Sequence, residues 1–158
     1  MKKILITILY IVVYITTYSQ DEVQIPKGTN KIILRTELNE RDNFKLILKV
    51  LKENDFEISK LDTTIFQIQT NERNLRKGKL PTTIYKLNFN IDNQSISLTG
   101  RFSTQISIKI GNVIDNSTFS DITNRGMSGS PYKECFKEMN ELCLKIVSQD
   151  KIEYSIKN

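Results

Sequence analysis

The residue types most able to hold a ligand stand together at residues 124–131, NRGMSGSP. Gly126 and Gly129 let the backbone be approached closely, and Ser130-Pro131 is the usual pairing of a helix cap with a first-turn proline. The first N–H groups of a helix have no intrahelical partner. Together with the helix dipole they favour an anion, and Arg125 adds charge. Arg125, Gly126, Gly129 and Ser130 are therefore the candidate ligand-binding residues. The alternative is a tight connection that needs glycine for backbone reasons and ends in an ordinary cap. The segment lacks the spacing and the lysine of a P-loop.

Other chemistries are poorly supplied. The chain has no histidine, which excludes Ser-His-Asp and Cys-His catalysis in their usual forms and every His-containing metal site. Glu134, Glu138 and Glu141 share one polar side of the last helix. They could face a cleft or form a solvated face with i, i+4 neighbours such as Glu141 and Lys145. Arg73, Arg76, Lys77 and Lys79 make a basic loop that could touch lipid headgroups or an anionic polymer, or be a solvated hairpin loop. Aromatic residues are not interleaved with it, which disfavours nucleic acid. The two cysteines, Cys135 and Cys143, lie eight positions apart on the apolar face of one expected helix. At ~1.5 Å per residue their Cα atoms are about 12 Å apart, beyond the ~7 Å reach of a disulfide. They are expected as buried free thiols. No catalytic residue, metal or cofactor is expected.

The N-terminus bounds the compartment. Lys2 and Lys3 precede an apolar run over residues 4–14 broken only by Thr7, and Thr17, Tyr18 and Ser19 give a polar exit. That order is the signature of a secretory signal peptide over residues 1–19. An uncleaved anchor is the alternative, but the run is shorter than the ~20 residues of a membrane span. No stable span is expected after cleavage. No cysteine is near the exit, so a lipid-modified N-terminus is not expected. Loss of Lys2 and Lys3 takes the formal charge from +5 to +3, a modest bias toward anionic surfaces. Residues 20–30, with Pro26 and Gly28, read as a tether outside the fold. Residues 31–158 fit one small domain.

Within that domain residues 31–36 read as a strand. Asn39 can cap a helix, with Asp42 in its first turn, and Phe44, Ile47, Leu48 and Leu51 recur at helical spacing. Leu46 lies off that stripe. Asn54 is placed to end the helix in a left-handed conformation. Phe56 and Ile58 open an extended segment that turns near Asp62-Thr63 and resumes over residues 65–69. Tyr85, Leu87, Phe89 and Ile91 alternate with Lys86, Asn88 and Asn90, and Ile96, Leu98 and Phe102 alternate again. A turn at Asp92-Asn93 predicts Phe89 opposite Ile96, Leu87 opposite Leu98, and Gly100 opposite Tyr85. Ile106, Ile108 and Ile110 continue the alternation. Phe119 and Ile122 anchor an irregular stretch. A second helix runs from Ser130 to about Ser148 on the apolar face of Tyr132, Cys135, Phe136, Met139, Leu142, Cys143, Ile146 and Val147. Ile152, Tyr154 and Ile156 suggest a last strand. The expected class is α+β: a two-layer sandwich with an antiparallel sheet of about four to five strands and two helices on one face, in the order β-α-β-β-β-β-α.

Residues 51–70, LKENDFEISKLDTTIFQIQT, carry a resemblance. The end of a helix, a hydrophobic strand, an Asp turn and a strand ending in Ile-x-Thr resemble the same run in small exported TBP-like (helix-grip) domains from Gram-negative bacteria. Some of those are lipoproteins tied to outer-membrane assembly; others are domains of unknown function. The resemblance spans about residues 31–110 and lacks the lipoprotein cysteine. It implies a fold and a compartment and transfers no catalytic residue. The expectation is an exported envelope or periplasmic accessory protein, periplasmic or extracellular and associated with the outer membrane in one reading. It would bind another protein or an anionic envelope polymer, without nucleic acid and without catalysis. The alternatives are a carboxylate-dependent envelope hydrolase, and an inhibitor or immunity protein facing a secreted enzyme.

Overall fold

The structure is a computed structural model that describes residues 24–75, 83–104 and 118–156. The expected strand over Ile106, Ile108 and Ile110, and Arg76, Lys77 and Lys79 of the basic loop, lie outside the described residues.

The elements run β1 (Lys31–Arg35), α1 (Glu40–Glu53), β2 (Ile58–Asp62), β3 (Gln67–Thr70), β4 (Arg73–Asn74), β5 (Thr83–Asp92), β6 (Ser95–Thr104), β7 (Ser120–Asp121), α2 (Pro131–Leu144) and β8 (Ile152–Ser155). The α+β class holds. Among the described residues the sheet has eight strands, in the order β2-β3-β5-β6-β1-β8, with β4 on β5 and β7 on β6. This exceeds the expected four to five. The excess comes from two two-residue strands and from the tail strand closing the far edge beside β1. All pairs are antiparallel.

Alternation decides which side is buried. Ile32, Leu34, Ile68, Leu87, Phe89, Ile96 and Leu98 form one cluster with Ile47 and Leu51 of α1 and Phe136, Met139 and Cys143 of α2. Both helices therefore cover one face of the sheet. Burying a side chain of this kind contributes about 1.5–3 kcal/mol. Asn39 caps α1 by accepting the Asp42 N–H. Asn54 ends α1 with φ −110°, and the left-handed residue is its neighbour Asp55, φ 57°. Leu46, off the main stripe, is half-buried against the cluster.

The long β5–β6 hairpin differs from expectation by two residues. Phe89 faces Leu98, Ile91 faces Ile96 and Leu87 faces Gly100. The turn is Asn93-Gln94, with Gln94 at φ 58°. Its tip is held from a distance: the Thr36 N–H donates to the Gln94 carbonyl and the Gln94 N–H to the Leu38 carbonyl. An even shift preserves the face, so every expected inward residue stays inward.

Two further expectations change. Residues 25–30 are bound to the domain instead of hanging from it. The Gly28 N–H donates to the Asn124 carbonyl, the Asn124 N–H donates to the Thr29 carbonyl, and Thr29 is buried. Arg73 belongs to β4 and not to a loop. Its guanidinium donates to the Asn54 carbonyl at 2.7 Å and lies 4.3 Å from the Phe56 ring centre.

Candidate functional site

The residues around Ser130 are joined to one another. Ser130 caps α2 by accepting the Lys133 N–H. The Gly129 N–H donates to the Glu134 carboxylate at 3.0 Å. Glu134 thus stands where an external anion would be received, and it is buried. Gly126 and Gly129 both have φ 84°, which only glycine adopts readily. A Cβ on Gly126 would also lie 2.6 Å from Ser130 Oγ. Arg125 is exposed, with its guanidinium 3.9 Å from the centre of the Tyr132 ring, and that ring packs edge-on against Phe102. Lys133 Nζ donates to Asn124 Oδ1, while Asn124 Nδ2 donates to the Ile25 and Pro26 carbonyls. In this geometry the segment is a clasp between α2 and the N-terminal residues of the domain. Arg125, Gly126, Gly129 and Ser130 are adjacent, but the Gly129 N–H and the Ser130 hydroxyl already have partners within the chain.

The acids of α2 also separate. Glu141 pairs with Lys137 at 3.8 Å. Lys145, expected beside Glu141, donates instead to Asn54. Both cysteines are buried free thiols, as expected. Burial pushes the Cys135 thiol up to about 12, with Glu138 and Glu134 adding to the effect, and burial raises Cys143 further still. Neither is a thiolate at neutral pH. Among the described residues no group of three metal-ligating side chains occurs, and no helix is long and apolar enough to cross a membrane.

The sheet face away from the helices has a different character. Three cross-strand rows run over it. Gln67, Asn90 and Ser97 form the first, Gln69, Asn88 and Thr99 the second, and Lys86, Arg101 and Asp121 the third. Neighbouring strands are about 4.8 Å apart and same-face residues about 6.7 Å apart along a strand. The rows therefore cover roughly 10 by 14 Å. A concavity of about 290 Å³ opens between the second and third rows and is lined also by Asn30, Leu87 and Gly100. The side chains of Gln69, Asn88 and Thr99 make no hydrogen bond among the described residues. Arg101 is 3.6 Å from Asp121 and donates to the Phe119 carbonyl. The Lys86 ammonium lies 4.3 Å from the centre of the Phe119 ring.

Sequence reasoning shows half of this face. The alternation of Lys86, Asn88 and Asn90 marks a polar side, but a polar side alone reads as a solvent face. Only the pairing of β3 and β6 with β5, and of β7 with β6, turns single polar residues into rows. No family model matches the chain, and no curated protein is significantly similar to it.

Proposed function

We propose that the chain is an exported, non-catalytic accessory protein of the cell envelope that binds its partner through the open face of the sheet. One observation carries the reading: a ready row of hydrogen-bonding side chains, Gln69, Asn88 and Thr99, has no partner within the described chain and borders a concavity. Such groups are held in position by the strands beneath them, so little ordering is required when a partner arrives. The fold reading is a TBP-like, helix-grip domain. It is supported by the strand-helix start, the antiparallel meander and the return of a second helix onto the same face. Export is supported by the charged, apolar and polar order of residues 1–19. Intact mass of protein recovered outside the cytosol should begin at Gln20; a product that keeps Met1 in the membrane fraction overturns the export step.

Co-sedimentation with envelope fragments tests the binding face. The wild-type chain should sediment with them, and the Asn88→Ala/Thr99→Ala variant should not, at an unchanged melting temperature. Equal capture of both would overturn the open-face reading.

A further inference from the structure

We propose that the edge strand β2 is a self-association site, where a second copy of the chain pairs antiparallel about a two-fold axis at Leu61. Seven large apolar side chains are exposed among the described residues. Three of them, Ile58, Leu61 and Ile65, lie on β2 and the turn that follows it. Ile58 also lines a shallow concavity with the half-buried Leu48 and Phe56. β2 ends the sheet on this side, and among the described residues no strand lies beyond it. The opposite edge is occupied differently. In β8, Ile152 is buried, Glu153 is paired with Arg35, and the Tyr154 hydroxyl donates to Asn140. Apolar side chains gathered on an open strand edge mark a pairing surface.

Backbone phase selects the register. The Ile91 N–H donates to the Phe66 carbonyl, and the Asn71 N–H to the Glu57 carbonyl. Alternation along β3 therefore turns the backbone of Gln67 and Gln69 toward β2, where they face Asp62 and Lys60. The N–H and C=O of Leu61, between those two, point away from the sheet. When two copies meet antiparallel, each Leu61 can exchange both bonds with the other, a two-fold hydrogen-bonded pair. This register sets Lys60 of each copy opposite Asp62 of the other, on the side of Gln69 and Gln67. The strand is thus complementary in charge to itself, which selects a second copy as its partner. Leu61 meets Leu61 on the side of Ile68, and Ile58 comes level with the Thr64-Ile65 turn of the second copy. Ser59 is bulged out of the ladder, and its hydroxyl lies within hydrogen-bond distance of the Gln69 and Thr70 carbonyls. Bulge and turn confine the pairing to Lys60, Leu61 and Asp62, so the contact is short and closes at two copies. Pairing leaves the open face uncovered and is independent of what that face binds.

Sedimentation of the exported chain from about 10 µM to about 1 mM measures the association. The chain should pass from monomer to dimer within that range and grow no further. Lys60→Glu sets two acids opposite one another and should weaken the dimer at least about threefold. High salt should narrow the gap between the two proteins. Cysteine crosslinking reads the register. Leu61→Cys replaces an exposed side chain and brings the two thiols onto Cα atoms ~5.5 Å apart, within disulfide reach. Lys60→Cys leaves them about 8 Å apart, outside it. Cys135 and Cys143 are buried and do not compete. Under mild oxidation in native buffer, Leu61→Cys should become a disulfide dimer and Lys60→Cys should stay monomeric. A chain still monomeric at about 1 mM, equal crosslinking of the two variants, or growth beyond the dimer overturns the site. Crosslinking of Leu61→Cys to a different envelope protein in place of its own copy gives the edge to that protein and overturns self-association.

Discussion

Alanine at Gly100 probes the join between the buried layer and the open face. Gly100 sits in β6 opposite Leu87, and its carbonyl accepts the Ile122 N–H at 2.9 Å. Its backbone is not left-handed, so the test is one of space alone. A Cβ would lie 2.6 Å from Ile122 Cδ1 and 3.0 Å from Leu87 Cδ2, with the Lys86 carbonyl oxygen at 3.3 Å. Carbon atoms pack best at ~3.5–4.0 Å, so Ile122 must withdraw by about 1 Å, and it is fully buried. Overpacking of this kind costs about 1–3 kcal/mol. Loss of glycine freedom from the unfolded chain returns ~0.4–1 kcal/mol. The net expectation is a loss of about 1–2 kcal/mol, or about 3–6 °C in Tm for a domain of this size. Ile122→Val deletes the very methyl that clashes, and alone should cost ~0.5–1.5 kcal/mol. The double variant should then be about 1 kcal/mol more stable than the two single effects added together. Urea melts of the four proteins measure this coupling. Additivity within ~0.5 kcal/mol would refute the contact between Gly100 and Ile122.

Phe89→Ala and Leu98→Ala should each cost about 2–5 kcal/mol in denaturant melts, because both are fully buried and face one another across β5 and β6. The pair should be non-additive; losses under about 1 kcal/mol for both would refute the packing. The buried thiols set an alkaline limit. Their folded pKa values are raised above 9.0, so from pH 9 upward the unfolded chain releases protons that the folded chain keeps, and stability falls as pH rises. The Cys135→Ala/Cys143→Ala variant should show a shallower decline between pH 9 and 10.5, and an equal decline in both proteins would refute the assignment. Ser130→Ala should cost about 1 kcal/mol through the lost cap. Arg125→Ala, which removes one exposed cation–π contact, should cost no more than about 1 kcal/mol; a larger loss in a thermal melt would show that Arg125 holds the clasp.

Face was legible in the sequence and distance was not. Alternation over Tyr85–Ile91 and Ile96–Phe102 assigns each side chain to a side by period alone, and that assignment survives a register error of two. The register itself is fixed by Thr36 and Leu38 bonding to Gln94, contacts that no local turn rule contains. The helices were legible because their caps and stripes are local: Asn39 with Asp42, Ser130 with Lys133. The end of α1 moved by one residue because Asn54 uses its side chain on the Val50 carbonyl, leaving the left-handed turn to Asp55. Strands of two residues, β4 and β7, have no period to read. The clasp at residues 124–131 looked like a ligand site because its donors are visible in sequence while the acceptor that takes the Gly129 N–H is a matter of side-chain direction. Glu134 stands one turn along and could have pointed to solvent.

The join at Gly100 explains why one sheet can serve two layers. On the helix side its missing side chain admits Ile122, and the same chain segment continues to Asn124, which ties residues 25–29 down. Just before Ile122, Asp121 pairs with Arg101 on the open side, and Phe119 lies under Lys86. A single short arm is therefore anchored in the buried layer and carries Phe119 and Asp121 to the row of Lys86 and Arg101. With Asp121 in place Arg101 has an ion partner 3.6 Å away. The buried layer and the open face are thus joined through one glycine. A change at Gly100 should displace Asp121 and Phe119 on the open face even though Gly100 places no side chain there.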